Sequence, residues 1–290
     1  MTNLLYASSI SGIPLLINSL TSFCKHIEGD ITAFVLCSNW EQRNIDYVES
    51  KLNGKCKIVL LKIDKSVFDG YNNTKGLPLE TLFRLYGLEL LPSDVKRVLY
   101  LDIDTICISD DVNHLVQFAK EGNYTIAAVP DAGIPDKYCD SLFKESVKEY
   151  FNAGVICFNV EYCRSIRLWD TARGYLEDNN FVAVDQDILN IIFNPNYCPL
   201  SHRFNYMSPQ IFKDMMFVRE KNMQSMNPVI IHFDGPQKPW NKICANPYKR
   251  YYKQVSLETK LGGSIPSKSR GIKYDLRVLF NYLKYKVASV

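Results

Sequence analysis

The chain lacks any apolar run of about 18 residues, the length a helix needs to cross a bilayer, so no membrane span is expected. Its opening, "MTNLLYASSISG", lacks the basic start of a signal peptide. Among nine cysteines there is no C-x-x-C pair, and the count is odd. Several sit inside apolar runs, such as Cys107 and Cys157. They read as reduced, mostly buried thiols of a cytoplasmic protein, and no zinc site is expected. The net charge of +3 is too small to argue for a nucleic-acid partner. There is no internal repeat, no low-complexity tract and no composition shift before Gly262 to mark a second domain. What remains is ordinary for a globular protein with a large core: 290 residues, 47% hydrophobic and 22% charged. That length allows one large domain or two modest ones.

Strand-like and helix-like segments alternate through the first hundred residues. "NLLYAS", "ITAFVLCS", "CKIVLLKI" and "VKRVLYLDID" read as strands. Between them, "PLLINSLTSFCKHI" has helical spacing, with Pro14 suited to a first turn. "WEQRNIDYVESKLNG" reads as a helix closed by Gly54, and "LPLETLFRLYGLELL" as another. Later, "YTIAAVP" and "AGVICFNV" are strand-like, while "EYCRSIRLWDTARGYLED" and "VAVDQDILNIIF" are helix-like. "MNPVIIHFDG" supplies a late strand ending in His232. Continuous apolar strands alternating with helices predict an α/β fold with a mostly parallel sheet covered on both faces. Such sheets bind ligands beyond the carboxyl ends of their strands.

Asp102 and Asp104 fall at one such end, in "RVLYLDIDTICISDD". A charge after an apolar strand is costly unless something pairs with it. On an extended chain the two carboxylates would face opposite ways, but a turn lets both converge on one cation. Mg²⁺ and Mn²⁺ combine a few protein oxygens with substrate phosphate oxygens. Two solvated aspartates in a turn are the plain alternative. "DIDT" also fits the D-x-D-x-T of haloacid-dehalogenase-type phosphatases, where Asp102 would be the nucleophile and Asp104 the general acid. Against that stands its position, after several strand–helix units, and the lack of a late acidic motif to complete a magnesium site.

Three further stretches matter together with "LYLDID". They are "YFNAGVICFNV" (150–160), "VDQDILN" (184–190) and "HFDGPQKPW" (232–240). In this order the four resemble glycosyltransferase family 8, over roughly residues 1–255 and most strongly from Arg84 to Trp240. The resemblance implies a GT-A (nucleotide-diphospho-sugar transferase) fold over residues 1–261, a UDP-hexose donor and transfer with retention. It places Asp102, Asp104 and His232 on a metal, Mn²⁺ in the first place because imidazole suits it better, with Mg²⁺ the alternative. It sets Ala7, Ser9, Arg84, Asp102, Ile103, Asn152, Gly235 and Lys238 against the donor. Lys238 would pair with the diphosphate as a point charge, and Gly235 would let the backbone approach it. Asp185 and Gln186 would carry the catalytic face, Asp185 gripping sugar hydroxyls and Gln186 near the reacting carbon. An amide is a poor nucleophile, which favours a front-side route over a covalent sugar intermediate. Read alone, several of these residues have simpler roles. Asn152 fits a turn, Arg84 and Lys238 fit the surface, and His232 fits a satisfied strand end. Asp187 points away from Asp185 at helical spacing and fits a structural role near a helix start.

The first loop departs from the family. In "YASSISGI", Ala7 fits, but Ser9 stands where an acidic residue is expected, Ser11 where Asn is common and Gly12 where Tyr is common. A serine accepts a hydrogen bond without charge, so UDP remains the expected nucleotide with weaker grounds for base recognition. A nucleotide-sugar-binding protein without turnover is the non-enzymatic alternative. The expected acceptor is an oligosaccharide or lipid-linked saccharide in lipopolysaccharide or other surface-glycan synthesis. Residues 262–290 form a basic-aromatic tail, with Lys268, Arg270, Lys273, Arg277, Lys284 and Lys286 among Tyr274, Phe280, Tyr282 and Tyr285. A tail of that kind can lie on an anionic membrane surface or pack on the main domain. The protein is therefore expected in the cytoplasm, peripheral to the inner face of the membrane.

Overall fold

The computed structural model describes residues 1–69, 71, 78–131, 133–143, 149–176, 181–194, 196–217, 226–235, 238–241 and 244–261. The tail expected over 262–290 lies outside the described residues.

Strands β1 (Thr2–Ala7), β2 (Ile31–Cys37) and β3 (Lys57–Lys62) pair in parallel, and β4 (Arg97–Leu101) pairs in parallel with the other side of β1. Between them run α1 (Ile13–His26), α2 (Gln42–Leu52) and the short α3 (Phe83–Tyr86). Pro14 lies in the first turn of α1. Asn53 and Gly54 close α2 in the left-handed region, at φ 52° and 71°. After β4 come β5 (Thr105–Cys107), α4 (Val112–Glu121), β6 (Ile126–Pro130), α5 (Asp136–Phe143) and β7 (Phe151–Asn159). The chain continues with α6 (Val160–Ser165), α7 (Leu168–Arg173), α8 (Val184–Phe193), β8 (Cys198–Pro199) and β9 (Tyr206–Met207). The last described elements are α9 (Ser208–Phe217), β10 (Ile230–His232) and α10 (Lys249–Glu258).

The main sheet has the order β3-β2-β1-β4-β7-β6-β8. Alternate residues of its strands feed two cores. Leu4, Tyr6 and Val35 pack against α1, α2 and α4, whereas Leu5, Phe34 and Leu36 pack against α3, α7 and α8. Each fully buried Leu, Ile or Phe in these layers contributes about 1.5–3 kcal/mol. The sheet is thus mostly parallel and covered on both faces. A three-stranded sheet, β5-β10-β9, sits beside it and packs on α9 and α10 through Ile231, Phe233, Ile211 and Tyr252.

Four local readings differ from expectation. The strand expected through Asp104 ends at Leu101, because the Asp102 carbonyl accepts from both Thr105 N (3.1 Å) and Thr105 Oγ1 (2.7 Å) and closes a turn. β5 then leaves in a new direction to pair antiparallel with β10. β7 runs antiparallel to both β4 and β6, so the sheet is mixed on that side. The helix expected over 77–91 is a short α-turn between two 3₁₀ turns, Leu79–Leu82 and Gly87–Leu90, in a stretch bounded by Pro78 and interrupted by a poor helix former, Gly87. The helix expected over 161–178 is broken at Arg167, which adopts φ 51° between α6 and α7.

Candidate functional site

The turn after β4 sets the site. Asp102 N–H donates to Gly154 O at 2.8 Å, anchoring the turn to the start of β7. Phe233 N–H donates to Asp104 O at 3.0 Å, anchoring its other end to the strand that carries His232. These two backbone bonds bring three distant side chains together. Each of Asp102, Asp104 and His232 offers one ligand atom, and those atoms lie within 4.8 Å of one another. His232 Nε2 is 3.2 Å from Asp104 Oδ1 and 3.8 Å from Asp102 Oδ2. Two carboxylate oxygens and an imidazole nitrogen form a donor set suited to a borderline divalent cation.

The surrounding charges are tightly paired. Arg84, almost wholly buried in α3, donates from Nη2 to Asp102 Oδ1 at 2.8 Å; its Nε donates to Thr81 O at 3.1 Å and lies 3.0 Å from Asp185 Oδ2, an ion pair. Its Nη1 donates to Ala153 O, and its guanidinium lies 4.4 Å from the centre of the Tyr100 ring. Tyr100 OH donates to the same Asp102 Oδ1 at 2.9 Å, so this oxygen is occupied and Oδ2 is the one turned to His232. Lys238 Nζ donates to Asp104 Oδ2, and to Phe233 O at 2.6 Å.

These contacts move the titrations. Burial pushes the Asp104 carboxyl up, but Lys238 and His232 outweigh it and hold the group well below the usual carboxylate range. Burial pulls His232 down, yet Asp104 beside it leaves the ring above its ordinary value. Burial raises Asp185 to about 6; Arg84 pulls it down and Asp102 pushes it up.

Asp185 and Gln186 stand in the first turn of α8. Asp187 Oδ2 accepts from Val182 N (2.9 Å), Ala183 N (2.8 Å) and Tyr138 OH (2.8 Å), the structural role near a helix start expected from its spacing. Gln186 Oε1 accepts from Ala153 N (2.9 Å) and Asn152 Nδ2 (3.1 Å). Asn152 lies inside β7 rather than in a turn. Arg84 and Asn152 are buried, so their surface and turn readings do not hold, whereas His232 does end β10 with its Nδ1 hydrogen-bonded to Asn205.

The first loop reaches the site through Ile103. A Cβ built on Gly12 would come within 2.9 Å of Ile103 Cδ1 and 2.7 Å of Ser8 Oγ, so loop and turn are in contact. Ala7 ends β1, and Ser9 Oγ hydrogen-bonds Ser11 Oγ at 2.9 Å. Gly235 sits at φ 60°, between the strand of His232 and Lys238. The structure thus gathers Arg84, Asp102, Asp104, Asn152, Asp185, Gln186, His232 and Lys238 directly. Ala7 at the end of β1, and Ser9, Ile103 and Gly235 in the loops, border them.

Sequence reasoning missed several participants. Asp131 Oδ2 accepts from Gln186 Nε2 (3.1 Å) and Asn152 Nδ2 (3.0 Å). It follows "IAAVP" as Asp102 follows "VLYL", and that parallel was a usable signal. Gly154 leaves room for the imidazole: a Cβ there would stand 2.7 Å from His232 Nδ1 and closer still to Cε1. Asn205, fully buried, touches His232 and Asn152, and nothing in its sequence context marked it.

A mostly parallel sheet with an antiparallel β7, and an acidic turn at the carboxyl end of β4, make up a GT-A fold. Solved structures share this architecture. The galactosyltransferase LgtC, determined with donor and acceptor sugar analogs, superimposes with a TM-score of 0.75 at 22% identity, covering 94% of this chain and 100% of that one. The glycosyltransferase GlyE of Streptococcus pneumoniae gives 0.64 at 20% identity, covering 93% of this chain and 67% of that one. Residues 5–244 match glycosyl transferase family 8. The chain belongs to that family, and it is a hexosyltransferase. It is 26% identical over 259 residues to the lipopolysaccharide 1,2-glucosyltransferase of Escherichia coli K12, covering 87% of this chain and 75% of that protein. It is 27% identical over 241 residues to the lipopolysaccharide 1,3-galactosyltransferase of Salmonella typhimurium, covering 79% and 70%. Among the described residues no helix is long and apolar enough to cross a membrane.

Proposed function

We propose that the enzyme moves glucose or galactose from a UDP-sugar to a saccharide acceptor of a surface glycan, lipopolysaccharide in the first instance, with retention at the anomeric carbon. The convergence of Asp102, Asp104 and His232 at the carboxyl edge of the main sheet carries this reading. The donor set fits Mn²⁺, with Mg²⁺ a poorer match to the imidazole. When bound, the cation supplies Lewis-acid neutralisation of charge on the departing diphosphate. Asp102, held from behind by Arg84 and Tyr100, would present Oδ2 to it. Lys238 and Asp104 form an ion pair and neutralise each other. Donor binding would exchange partners, giving Asp104 to the cation and Lys238 to the diphosphate.

Gln186 Oε1 already accepts two hydrogen bonds from the protein, which leaves it little capacity to attack a sugar carbon. Asp185 is held by Arg84. Both facts support front-side attack by the acceptor beside the departing phosphate, without a covalent sugar intermediate. The same hold on Asp102 Oδ1 disfavours an aspartyl-phosphate route, and family membership sets that alternative aside.

A screen of UDP-sugars with Mn²⁺, scored by UDP release without acceptor, tests the reading. Slow hydrolysis of UDP-glucose or UDP-galactose is expected, and it identifies the sugar. Failure of every UDP-sugar to bind or hydrolyse overturns the reading. The cytoplasmic, membrane-peripheral placement and the role of the tail are part of the same proposal. Deleting residues 266–290 should cut binding to anionic liposomes while leaving donor hydrolysis largely intact. Equal liposome binding by the truncated protein rules the tail out as an anchor.

A further inference from the structure

A directional chain of side-chain amides runs from the cation site to Gln186, and backbone N–H groups fix its direction. Gly154 N–H donates to Asn152 Oδ1 at 2.9 Å, and only an oxygen can accept there. The Asn205 atom 2.9 Å from that same oxygen must therefore be its Nδ2. Asn205 Oδ1 is then the atom 3.0 Å from His232 Nδ1, so this ring nitrogen carries hydrogen and donates. At the other end, Ala153 N–H fixes Gln186 Oε1 in the same way, and Gln186 Nε2 must face Asp131. Asn152 Nδ2 closes the series on Gln186 Oε1 and Asp131 Oδ2.

We propose that Asn205 is a positioning residue that holds His232 in the Nδ1–H tautomer, turning the Nε2 lone pair to the cation, and holds Gln186 in register through Asn152. The proposal rests on the metal-dependent reading above and adds to it a residue outside the Asp102, Asp104 and His232 set. A histidine side chain free in water favours hydrogen on Nε2, so the protein must impose the other form. Asn205 is fully buried, and its side chain bonds both His232 and Asn152. A buried amide without those bonds would be costly.

Two substitutions separate the two halves. Asn205→Asp keeps an acceptor for Nδ1–H but loses the donor to Asn152, placing a carboxylate oxygen against Asn152 Oδ1. Asn205→Leu loses both at similar volume. Mn²⁺ binding, read from the free-ion electron paramagnetic resonance signal with UDP present, should stay within about threefold of wild type in the Asp variant. In the Leu variant it should fall about 10- to 100-fold, the loss typical when a partner of a metal-bound histidine is removed. UDP-sugar hydrolysis at saturating Mn²⁺ should fall in both. Equal Mn²⁺ affinity in the Leu variant and wild type, or equal loss in both variants, overturns the proposal.

One measurement needs no Asn205 variant. In ¹⁵N-histidine spectra of metal-free wild type, recorded where the four histidines are neutral, one ring should show the Nδ1–H tautomer. That ring's signal should vanish in His232→Gln. An Nε2–H signal for His232 refutes the tautomer whatever the metal does. Wild type that binds no Mn²⁺ with UDP would sink the parent reading instead.

Discussion

Adding one methyl group at Gly154 tests the cation site without replacing a proposed ligand. A Cβ there would lie 2.7 Å from His232 Nδ1 and nearer to Cε1. Comfortable heavy-atom contact is about 3.5 Å, so the imidazole must retreat by about 0.8 Å or more. Metal–ligand distances tolerate about 0.2 Å. His232 therefore drops out of reach, and two carboxylates remain. Overpacking at such a site costs about 1–3 kcal/mol of stability, small enough to leave a folded protein. Gly154 is not in the left-handed region, so alanine introduces no backbone strain of its own. Mn²⁺ titration with UDP present should show affinity reduced by at least tenfold in Gly154→Ala. Thermal melting should show a loss of only a few degrees. A double-mutant cycle makes the result specific: once His232→Gln is in place, Gly154→Ala should cost nothing further in affinity. Wild-type affinity in Gly154→Ala, or additive losses in the cycle, would refute the reasoning.

The remaining predictions concern charge. Removing the guanidinium in Arg84→Ala leaves Asp102 and Asp185 without their buried partner and should cost about 3–5 kcal/mol in urea unfolding. Arg84→Lys should recover less than half, since one ammonium cannot serve Asp102, Asp185 and Ala153 O together; full recovery contradicts the clamp. The Asp185 carboxyl is raised from 3.8 to about 6, so its favourable contribution is complete below about pH 4 and is lost as pH rises through 6. The stability of wild type minus that of Asp185→Asn should thus fall by about 2 kcal/mol between pH 4 and pH 7; a flat difference contradicts the raised value. His232 titrates above its ordinary 6.5, so at pH 6 a cation must displace its proton. Calorimetry of Mn²⁺ binding in two buffers of different protonation enthalpy should reveal about one proton released per ion at pH 6, declining as pH rises; no buffer dependence contradicts the assignment.

Much of the scaffold was legible because its signals are local. The strands β1 to β4 are apolar runs ended by polar residues, and Pro14 and Gly54 punctuate the helices between them. Asp102 and Asp104 stood out because charge after an apolar strand demands a partner. The direction of β7 was not legible. A strand buried on both faces has the same apolar composition whichever way it runs. Arg84 reads from local sequence as a surface residue, and only the family resemblance pointed it inward. Gly154 and Asn205 were invisible for a different reason. What each needs is set by an imidazole arriving from β10, far along the chain, and no window around either residue contains that information. The short strands β5, β8 and β9 are two or three residues long, below the length at which alternation can be recognised.

The reversed direction of β7 has a consequence for how this enzyme can diverge. Its opening residues, not its closing ones, arrive at the rim where β1 and β4 finish. Asn152 and Gly154 share one side of the strand, and Ala153 lies on the other. A slip of one position would swing Asn152 away from Gln186 and drive the Ala153 methyl into the space kept for the imidazole. Insertions or deletions within this strand should therefore be purged among descendants of the sequence, while length changes on exposed loops far from the rim accumulate.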